Sequence, residues 1–294
     1  MNTYVLLALV LLISIIPQII WGNFPVNFFS FPLNLIFAVL WICSLWVLYK
    51  EKRHTKWLIQ AISLKMTVLT IIIFISACLI IGLFPQLSDI EANQKDGISG
   101  SLGFYNFMSS WPFVTILLWL LTHLGLITIK RVQSSKKHKW RFFLNHAGLW
   151  LTLFAGFFGG ADEKVLRIPV YRDFPNQEAY SENKEITFLK DSFQLIDFQV
   201  EFYPNGMPQH YQAHIHVANQ NILLEVNHPY SLRWGEDLYL TGYDIQNNPP
   251  DYCIIQIVKQ PWKYLLLIGI IMTLSGALLL FIEGPNSSKT NRNK

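Results

Sequence analysis

Two histidines stand inside long apolar runs of the sequence, where an ionisable side chain is unusual. His146 follows Asn145 near the start of one run, and His123 follows Thr122 in the run before it. Imidazole can ligate a metal or relay a proton, and an ionisable residue within a membrane span is a candidate for such a function. Packing against a neighbouring helix, with a hydrogen bond to the ring, would explain either residue without any chemistry.

The predicted depths of these two histidines place them near each other. At 1.5 Å per residue, His146 lies roughly 8 Å and His123 roughly 10 Å from the same membrane face. A short basic loop joins the two runs, which makes them antiparallel neighbours. A bis-histidine cage is therefore geometrically possible, while a single packed histidine is the simpler interpretation of His123.

A second group of histidines lies in a soluble stretch. His214 and His216 are two residues apart on a predicted strand and share a face, which also carries His210. A His-x-His pair on a strand can bind zinc or copper, but no third ligand is obvious apart from His210. A solvated polar face explains all three, so no metal site is predicted. No motif of a known catalytic centre occurs, and no catalytic residue is assigned.

The composition and its distribution indicate a membrane protein. Hydrophobic residues make up 52 % of the chain and charged residues 14 %, well below the roughly 25 % charge of soluble proteins. A helix needs about 20 mostly apolar residues to cross the hydrocarbon core of a bilayer. The six runs that meet this length are residues 3–21, 31–49, 66–84, 112–129, 142–160 and 262–282. The chain is thus predicted to be a polytopic α-helical membrane protein.

Lysine and arginine are concentrated in alternate loops. The loops at residues 50–65 and 130–141 and the tail after residue 283 are basic, whereas the loop at 85–111 has three acidic residues and one lysine. Positive loops mark the cytoplasmic side of a membrane. Both termini are therefore predicted in the cytoplasm, beneath an inner membrane, with residues 161–261 outside. The net charge of +4 gives no indication of nucleic-acid binding.

Residues 161–261 have the pattern of an antiparallel β-rich domain, sandwich-like or barrel-like. Apolar and polar residues alternate at 198–202, and out of phase at 193–195, which predicts a bulge at 196–197. Asn205-Gly206 is typical of a hairpin turn. The chain divides into a two-span hairpin with its basic loop (1–64), a three-span core (65–160), this β domain (161–261) and a last span with its tail (262–294).

Small residues repeat every four positions on the span that carries His146. Gly148, Thr152, Gly156 and Gly160 form one ridge, and such ridges allow helices to approach closely. The ridge could pack a neighbouring span, receive a partner subunit or leave room for a flat cofactor. Internal packing is the commonest of these uses.

Four motifs occur in a characteristic order between Lys65 and residue 284. The first two are Gly82-Leu83-Phe84-Pro85-Gln86, at the end of a span, and Phe104-Tyr105 leading to Ser110-Trp111-Pro112-Phe113. The others are Phe143-Leu144-Asn145-His146-Ala147-Gly148 and Asn227-His228-Pro229, the latter followed by Gly235 and Tyr239. In this order and topology the chain resembles the ResB/CcsB family of cytochrome c biogenesis proteins (System II). The first two spans and the short soluble domain depart from that family's pattern.

The resemblance implies a role in handling haem across the membrane for attachment to apocytochrome c. Family members act with a CcsA/ResC-type partner that carries a tryptophan-rich haem-handling loop, which is absent from this sequence. His146 matches the family's in-membrane histidine and is expected to be an axial ligand to transiently bound haem b, with His123 as a second candidate. Attachment would occur on the partner, so the chain is not expected to be an enzyme on its own. Partner-contact or structural roles are expected for Asn227, His228, Pro229, Gly148 and Gly156.

Two other functions are compatible with the sequence. The chain could be an assembly scaffold in the lipid bilayer, whose β domain binds apocytochrome c or the partner while no haem touches it. It could also be a b-type membrane electron carrier that uses His123 and His146 as haem ligands.

Overall fold

The structure, a computed structural model, describes residues 2–133, 139–181, 185–247 and 249–283. In chain order, the helices are α1 (Thr3–Trp21), α2 (Leu33–Lys52), α3 (Lys56–Ala61), α4 (Leu64–Leu83), α5 (Asp89–Ala92), α6 (Ile98–Ser101), α7 (Trp111–Val132), α8 (Lys139–Phe158) and α9 (Lys263–Glu283). Six of them, namely α1, α2, α4, α7, α8 and α9, belong to segments long and apolar enough to cross a membrane. The six predicted spans are thus confirmed. Helix α8 begins three residues earlier than predicted, so His146 lies about two turns into it.

Helix α7 is the central span of the described membrane part. It packs against α1, α2, α4 and α8, and it is the most enclosed of the six. Its start is fixed by Ser110, whose Oγ accepts a hydrogen bond from the backbone N–H of Phe113 at 3.2 Å, an N-cap in its usual form. Its last turn carries Lys130 and Arg131, where the helix dipole favours positive charge.

Polar contacts tie the two N-terminal spans to the rest of the membrane part. The backbone N–H of Trp111, at the start of α7, donates to Oε1 of Gln18 on α1 at 3.0 Å. Nδ2 of Asn34 on α2 donates to the carbonyl oxygen of Phe158 at the end of α8 at 3.2 Å. Hydrogen bonds of this kind hold helices together where water is excluded, so α1 and α2 are integral to this bundle.

The chain divides into two compact units, one of residues 1–161 with 265–294 and the other of Asp162–Tyr264. The second unit consists of β1 (Lys164–Tyr171), β2 (Asn176–Ser181), β3 (Ile186–Phe202), β4 (Pro208–Val217), β5 (Gln220–Glu225), β6 (Tyr230–Arg233), β7 (Glu236–Tyr243) and β8 (Tyr252–Lys259). They form one antiparallel sheet in the order β5-β4-β3-β2-β1-β8-β7-β6. The predicted β-rich fold class is confirmed. The further division of the membrane part at residue 64 stays a prediction.

Alternating side chains build the core of the β domain. Ile168, Val170, Ile215, Leu238 and Ile255 are completely or almost completely buried and form one apolar cluster. Burying such side chains contributes on the order of 1.5–3 kcal/mol each relative to leaving them in water. The alternation in the sequence therefore decides which face of each strand turns inward.

The predicted irregularities of the β domain occur in the structure. The register of β3 against β4 shifts between Leu195 and Asp197, which is the predicted bulge. Gly206, with a φ of +80°, forms the turn between these strands. The next turn, between β4 and β5, has positive φ angles at Ala218 and Asn219.

Candidate functional site

His146 is held in one orientation by its own helix. Its Nδ1 lies 3.0 Å from the carbonyl oxygen of Phe142, one turn earlier on α8. The imidazole also stacks on the Phe142 ring, with the ring centroids 3.7 Å apart and the planes inclined by 11°. Residues four apart lie above one another on a helix, which explains why Phe142 is the support. The side chain is half-buried.

This contact determines which nitrogen of His146 carries the proton. A carbonyl oxygen only accepts hydrogen bonds, so Nδ1 must be the donor and a neutral ring has its lone pair on Nε2. No hydrogen bond to Nε2 is found within the described parts of the chain. A histidine whose Nδ1–H donates to a backbone carbonyl while Nε2 is available has the arrangement that metal-ligating histidines use.

Asn145, beside His146, fixes the neighbouring face of α8 against α9. A β-carbon added to Gly276 of α9 would lie 2.7 Å from the backbone nitrogen of Asn145, so only glycine fits there. Nδ2 of Asn145 donates to the carbonyl of Arg141 at 3.3 Å. Because α9 packs against Asn145, α8 cannot turn about its own axis at this point. The direction in which His146 projects is therefore fixed.

His123 has partners for its ring from a different direction. Its Nε2 lies 2.9 Å from Oγ1 of Thr67 on α4, and the ring also hydrogen-bonds the backbone of Ala61. The residue is buried, with 5 % of its surface exposed. His123 thus joins α7 to α4, whereas His146 is held by Phe142. Haem ligation by either histidine stays a prediction, and in this conformation the ring of His123 is already engaged.

The small-residue ridge of α8 is used for internal packing at its first two positions. A β-carbon on Gly148 would lie 2.6 Å from Oγ1 of Thr273, and one on Gly269 would lie 2.5 Å from Oγ1 of Thr152. Thr273 and Gly269 are on α9, and Gly148 and Thr152 are on α8. At Gly156 the nearest atom would be at 3.4 Å, an ordinary contact, and at Gly160 nothing lies within 4 Å. Close packing of α8 on α9 therefore depends on Gly148 and Gly269.

The Pro-Gln motif after α4 organises the loop before α7. Nε2 of Gln86 donates to the carbonyl oxygens of Phe84 and Phe104 at 3.0 and 3.1 Å. Oε1 of Gln86 accepts from the backbone N–H of Phe107 at 3.0 Å. One amide side chain thus satisfies backbone groups on both sides of the loop. This gives the first two motifs a common structural role.

The Asn-His-Pro motif forms the turn between β5 and β6. Asn227 has a φ of +63°, and the backbone N–H of His228 donates to the carbonyl of Glu225 at 3.1 Å. Gly235, further along the motif, has a φ of +70°. A β-carbon there would lie 2.8 Å from Cα of Pro261. The conformation and the close approach both require glycine at position 235.

The strand histidines lie on the outer face of β4, as the alternation predicted. Nδ1 of His216 lies 2.7 Å from Oδ1 of Asn221, and Nε2 of His210 lies 3.8 Å from Oε2 of Glu225. Buried Ala213, Ile215 and Val217 alternate with them. Within the described residues, no group of three or more His, Cys, Asp or Glu side chains is placed to hold a metal ion.

Three residues of this region were not singled out by the sequence. Phe142 supports His146, Thr67 holds His123, and Arg131 lies with its guanidinium 5.6 Å from the centre of the Phe142 ring. The spacing of four residues on α8 was a usable signal for Phe142. The partnership of Thr67 with His123 spans 56 positions and leaves no local signal.

Comparison with protein-family models matches residues 134–260 to the ResB-like family. This stretch includes α8 with His146 and Gly148, all eight strands, and the Asn227-His228-Pro229 motif. His123 and the motifs at residues 82–86 and 104–113 lie before it. No curated protein matched the chain. Residues 134–260 of this membrane protein are therefore ResB-like, in agreement with the resemblance that the sequence motifs predicted.

Proposed function

We propose that this chain handles haem in the membrane for cytochrome c maturation, with His146 as an axial ligand and a separate CcsA/ResC-type protein as its partner. The ResB-like match supports a role of the cytochrome c biogenesis type. In this proposal the chain binds its cargo, and the attachment of haem to apocytochrome c takes place on the partner. The orientation of the chain in an inner membrane, with the β domain outside, is part of the proposal.

The observation that carries the proposal is the orientation of the His146 ring. Nδ1 is occupied by the Phe142 carbonyl at 3.0 Å, and no partner of Nε2 is found in the described residues. Haem iron takes a neutral imidazole nitrogen as an axial ligand. The helix backbone thus fixes the tautomer in which Nε2 can donate its lone pair.

The surroundings of His146 fit a flat apolar cargo with an iron centre. Phe142 stacks on one face of the imidazole, and Ala147, the next residue of α8, is also apolar. Apolar side chains exclude water from bound haem, which tunes its redox potential. The chain would bind and orient the haem, while the iron supplies the coordination chemistry.

His123 is assigned a structural role within this proposal. Its ring hydrogen-bonds both Thr67 and the backbone of Ala61. Iron ligation would require at least one of these bonds to break in a buried site, at a cost of about 1–3 kcal/mol. For this reason a bis-histidine electron carrier is less well supported than a site centred on His146.

The test is the visible spectrum of the full-length protein purified in detergent, together with cytochrome c maturation in cells. His146→Ala should insert normally, because it removes a polar group from a span. It should lose the Soret band and fail in maturation, and added imidazole should restore part of both. His146→Met, which keeps a donor atom, should retain more activity than His146→Ala.

Phe142→Leu is a useful companion variant. It removes the stacked ring but keeps the backbone carbonyl that holds Nδ1, so haem content should fall less than in His146→Ala. If His146→Ala retains its haem and supports maturation, the proposed ligand is wrong and the scaffold function is favoured. A protein that never carries haem but binds the partner stably would likewise favour the scaffold function.

A further inference from the structure

An open cavity of about 560 Å³ lies between the C-terminal ends of α2 and α7. Tyr49 of α2 and Arg53, the residue that follows α2, line one side, and Lys130 and Arg131 of α7 line another. The wall is completed by Ile62 from the turn between α3 and α4, Leu64 and Thr67 of α4, Phe142 of α8, Ile127 of α7 and Gln133, which follows α7. Lysine or arginine at a helix C-terminus is common. Here, however, residues from two separate spans face the same cavity.

The charge of this cavity is of one sign. Arg53, Lys130 and Arg131 are cationic, and no acidic side chain is among the described residues that line it. The loop that follows Gln133, which lies outside the described residues, contains no acidic residue in its sequence either. A cavity with this lining attracts anions, and arginine and lysine are common ligands of phosphate groups.

An apolar groove lies deeper along three of the same helices. It has a volume of about 310 Å³ and is lined by Ile42 and Leu45 of α2, Gly125 of α7, and Phe143 and Trp150 of α8, among others. Leu45 is one helical turn from Tyr49, on the side away from the charged end of α2. A cationic cavity at the end of the spans, with an apolar groove further in, is complementary to an amphiphile with an anionic head and a hydrocarbon tail.

The lining distinguishes this cavity from the site proposed for haem. Its described residues include no histidine, methionine or cysteine, and Tyr49 is the only described lining side chain of a type that ligates haem iron. The two histidines do not line the cavity themselves. The ring of His146 stacks on Phe142, and the ring of His123 hydrogen-bonds Thr67, so each is separated from the cavity by one lining residue. The cavity thus has the charges for an acidic head group without a histidine, methionine or cysteine ligand for iron among its described residues.

We infer that this cavity binds the phosphate head group of an anionic phospholipid, with an acyl chain in the apolar groove. Basic pockets between transmembrane helices are known to bind anionic lipid head groups. Arg53 and Lys130 contact the phosphate, and the groove holds the tail. Two of the helices that form the site, α2 and α7, lie outside the ResB-like region.

The test is native mass spectrometry of the full-length protein titrated with phosphatidylglycerol, cardiolipin and phosphatidylethanolamine. Arg53→Gln/Lys130→Gln should weaken binding of the two anionic lipids by about tenfold or more. Binding of phosphatidylethanolamine should change little. Lys50→Gln/Lys52→Gln removes two charges from the same end of α2, at exposed side chains that do not line the cavity, and should leave binding unchanged.

Two results would overturn the inference. The two double variants could lose anionic lipid equally, which would show a general charge effect. The Arg53→Gln/Lys130→Gln protein could bind anionic lipid as well as the wild type. In that second case, a loss of haem from the variant would assign the cavity to the haem carboxylates. Should the double variant fail to fold, as judged by its unfolding midpoint, Arg53→Gln alone is measured and should show a smaller loss in the same direction.

Discussion

Gly148 of α8 and Thr273 of α9 approach each other so closely that a β-carbon on residue 148 would lie 2.6 Å from the Thr273 hydroxyl. It would also lie 2.8 Å from the carbonyl oxygen of Gly269. Since lipid tails are as apolar as the helices, close packing between small residues is what holds such helices together. The glycine at 148 therefore sets the distance between the helix of His146 and the last span.

A methyl group at position 148 should destabilise the membrane part. Gly148→Ala forces α8 and α9 apart, and overpacking of this kind typically costs about 1–3 kcal/mol. Gly156→Ala is the matched control on the same helix, because its nearest neighbour is at 3.4 Å. That variant should be neutral, or more stable by up to about 1 kcal/mol through helix propensity. Thermal unfolding in detergent measures both, and equal midpoints would contradict the packing argument.

Replacing His123 should affect stability more than haem content. His123→Ala removes a buried ring with two hydrogen-bonding partners, so we expect a loss of about 1–3 kcal/mol. Haem per folded protein should stay near the wild-type level. Thr67→Val removes only the hydroxyl group on the other side of the 2.9 Å contact and should show a milder loss of stability. If His123→Ala abolishes the Soret band while Thr67→Val does not, His123 is a haem ligand after all.

The spans could be predicted because hydrophobic length is a property of a single segment. Positions such as His146 in α8 follow from counting residues along one helix. The partners of His123 could not be predicted in this way, because Thr67 and Ala61 come from an earlier part of the chain and only packing brings them together. For the same reason, the cavity between α2 and α7 could not be predicted from the sequence.

The β domain shows where alternation stops being informative. Strand β4 was predicted because Ala213, Ile215 and Val217 alternate with polar residues. Strand β2 was not predicted, since Ala179 is its only buried residue and its pairing with β1 and β3 depends on the backbone. Strand β6, with only four residues, was missed for a similar reason.

The histidines of β4 should be dispensable. Replacing His210, His214 and His216 together with Gln should leave the folded domain and cytochrome c maturation unchanged, because they lie on the outer face of the strand. Glutamine keeps a polar side chain, so the solubility of that face is preserved. Maturation assays with immunoblots of protein level provide the measurement. A loss of maturation at normal protein level would reveal a docking or metal site on this face.

The orientation of the chain can be measured with reporter fusions. Alkaline phosphatase fused after Asn205, in the β domain, should be active because the enzyme needs an extracytoplasmic location. A fusion after Arg53, in the first basic loop, should be inactive, as the distribution of lysine and arginine requires. Both fusions should accumulate to similar levels on immunoblots. The reverse pattern of activity would show that the chain has the opposite orientation in the membrane.

Acid should weaken the turn between β7 and β8 through Asp244. The backbone N–H of Gln246 donates to this carboxylate at 2.9 Å and Nδ2 of Asn247 at 2.7 Å, which lowers the pKa of Asp244 below its ordinary value of 3.8. The unfolded chain then binds protons more readily than the folded one, so the carboxylate stabilises the fold above pH 3.8. This contribution disappears as the pH falls through the lower folded pKa.

Asp244→Asn tests this relationship directly. The variant lacks the charge at every pH, so it should unfold at a lower temperature than the wild type near neutral pH. The difference should shrink as the pH falls below the ordinary carboxyl pKa, because the wild type then loses its charge too. Asp173→Asn removes the same charge from an exposed loop, where no such hydrogen bonds are found among the described residues, and should match the wild type throughout. Circular dichroism of the full-length protein in detergent follows the unfolding. A difference between Asp244→Asn and wild type that is independent of pH would show that the carboxylate charge is not what stabilises this turn.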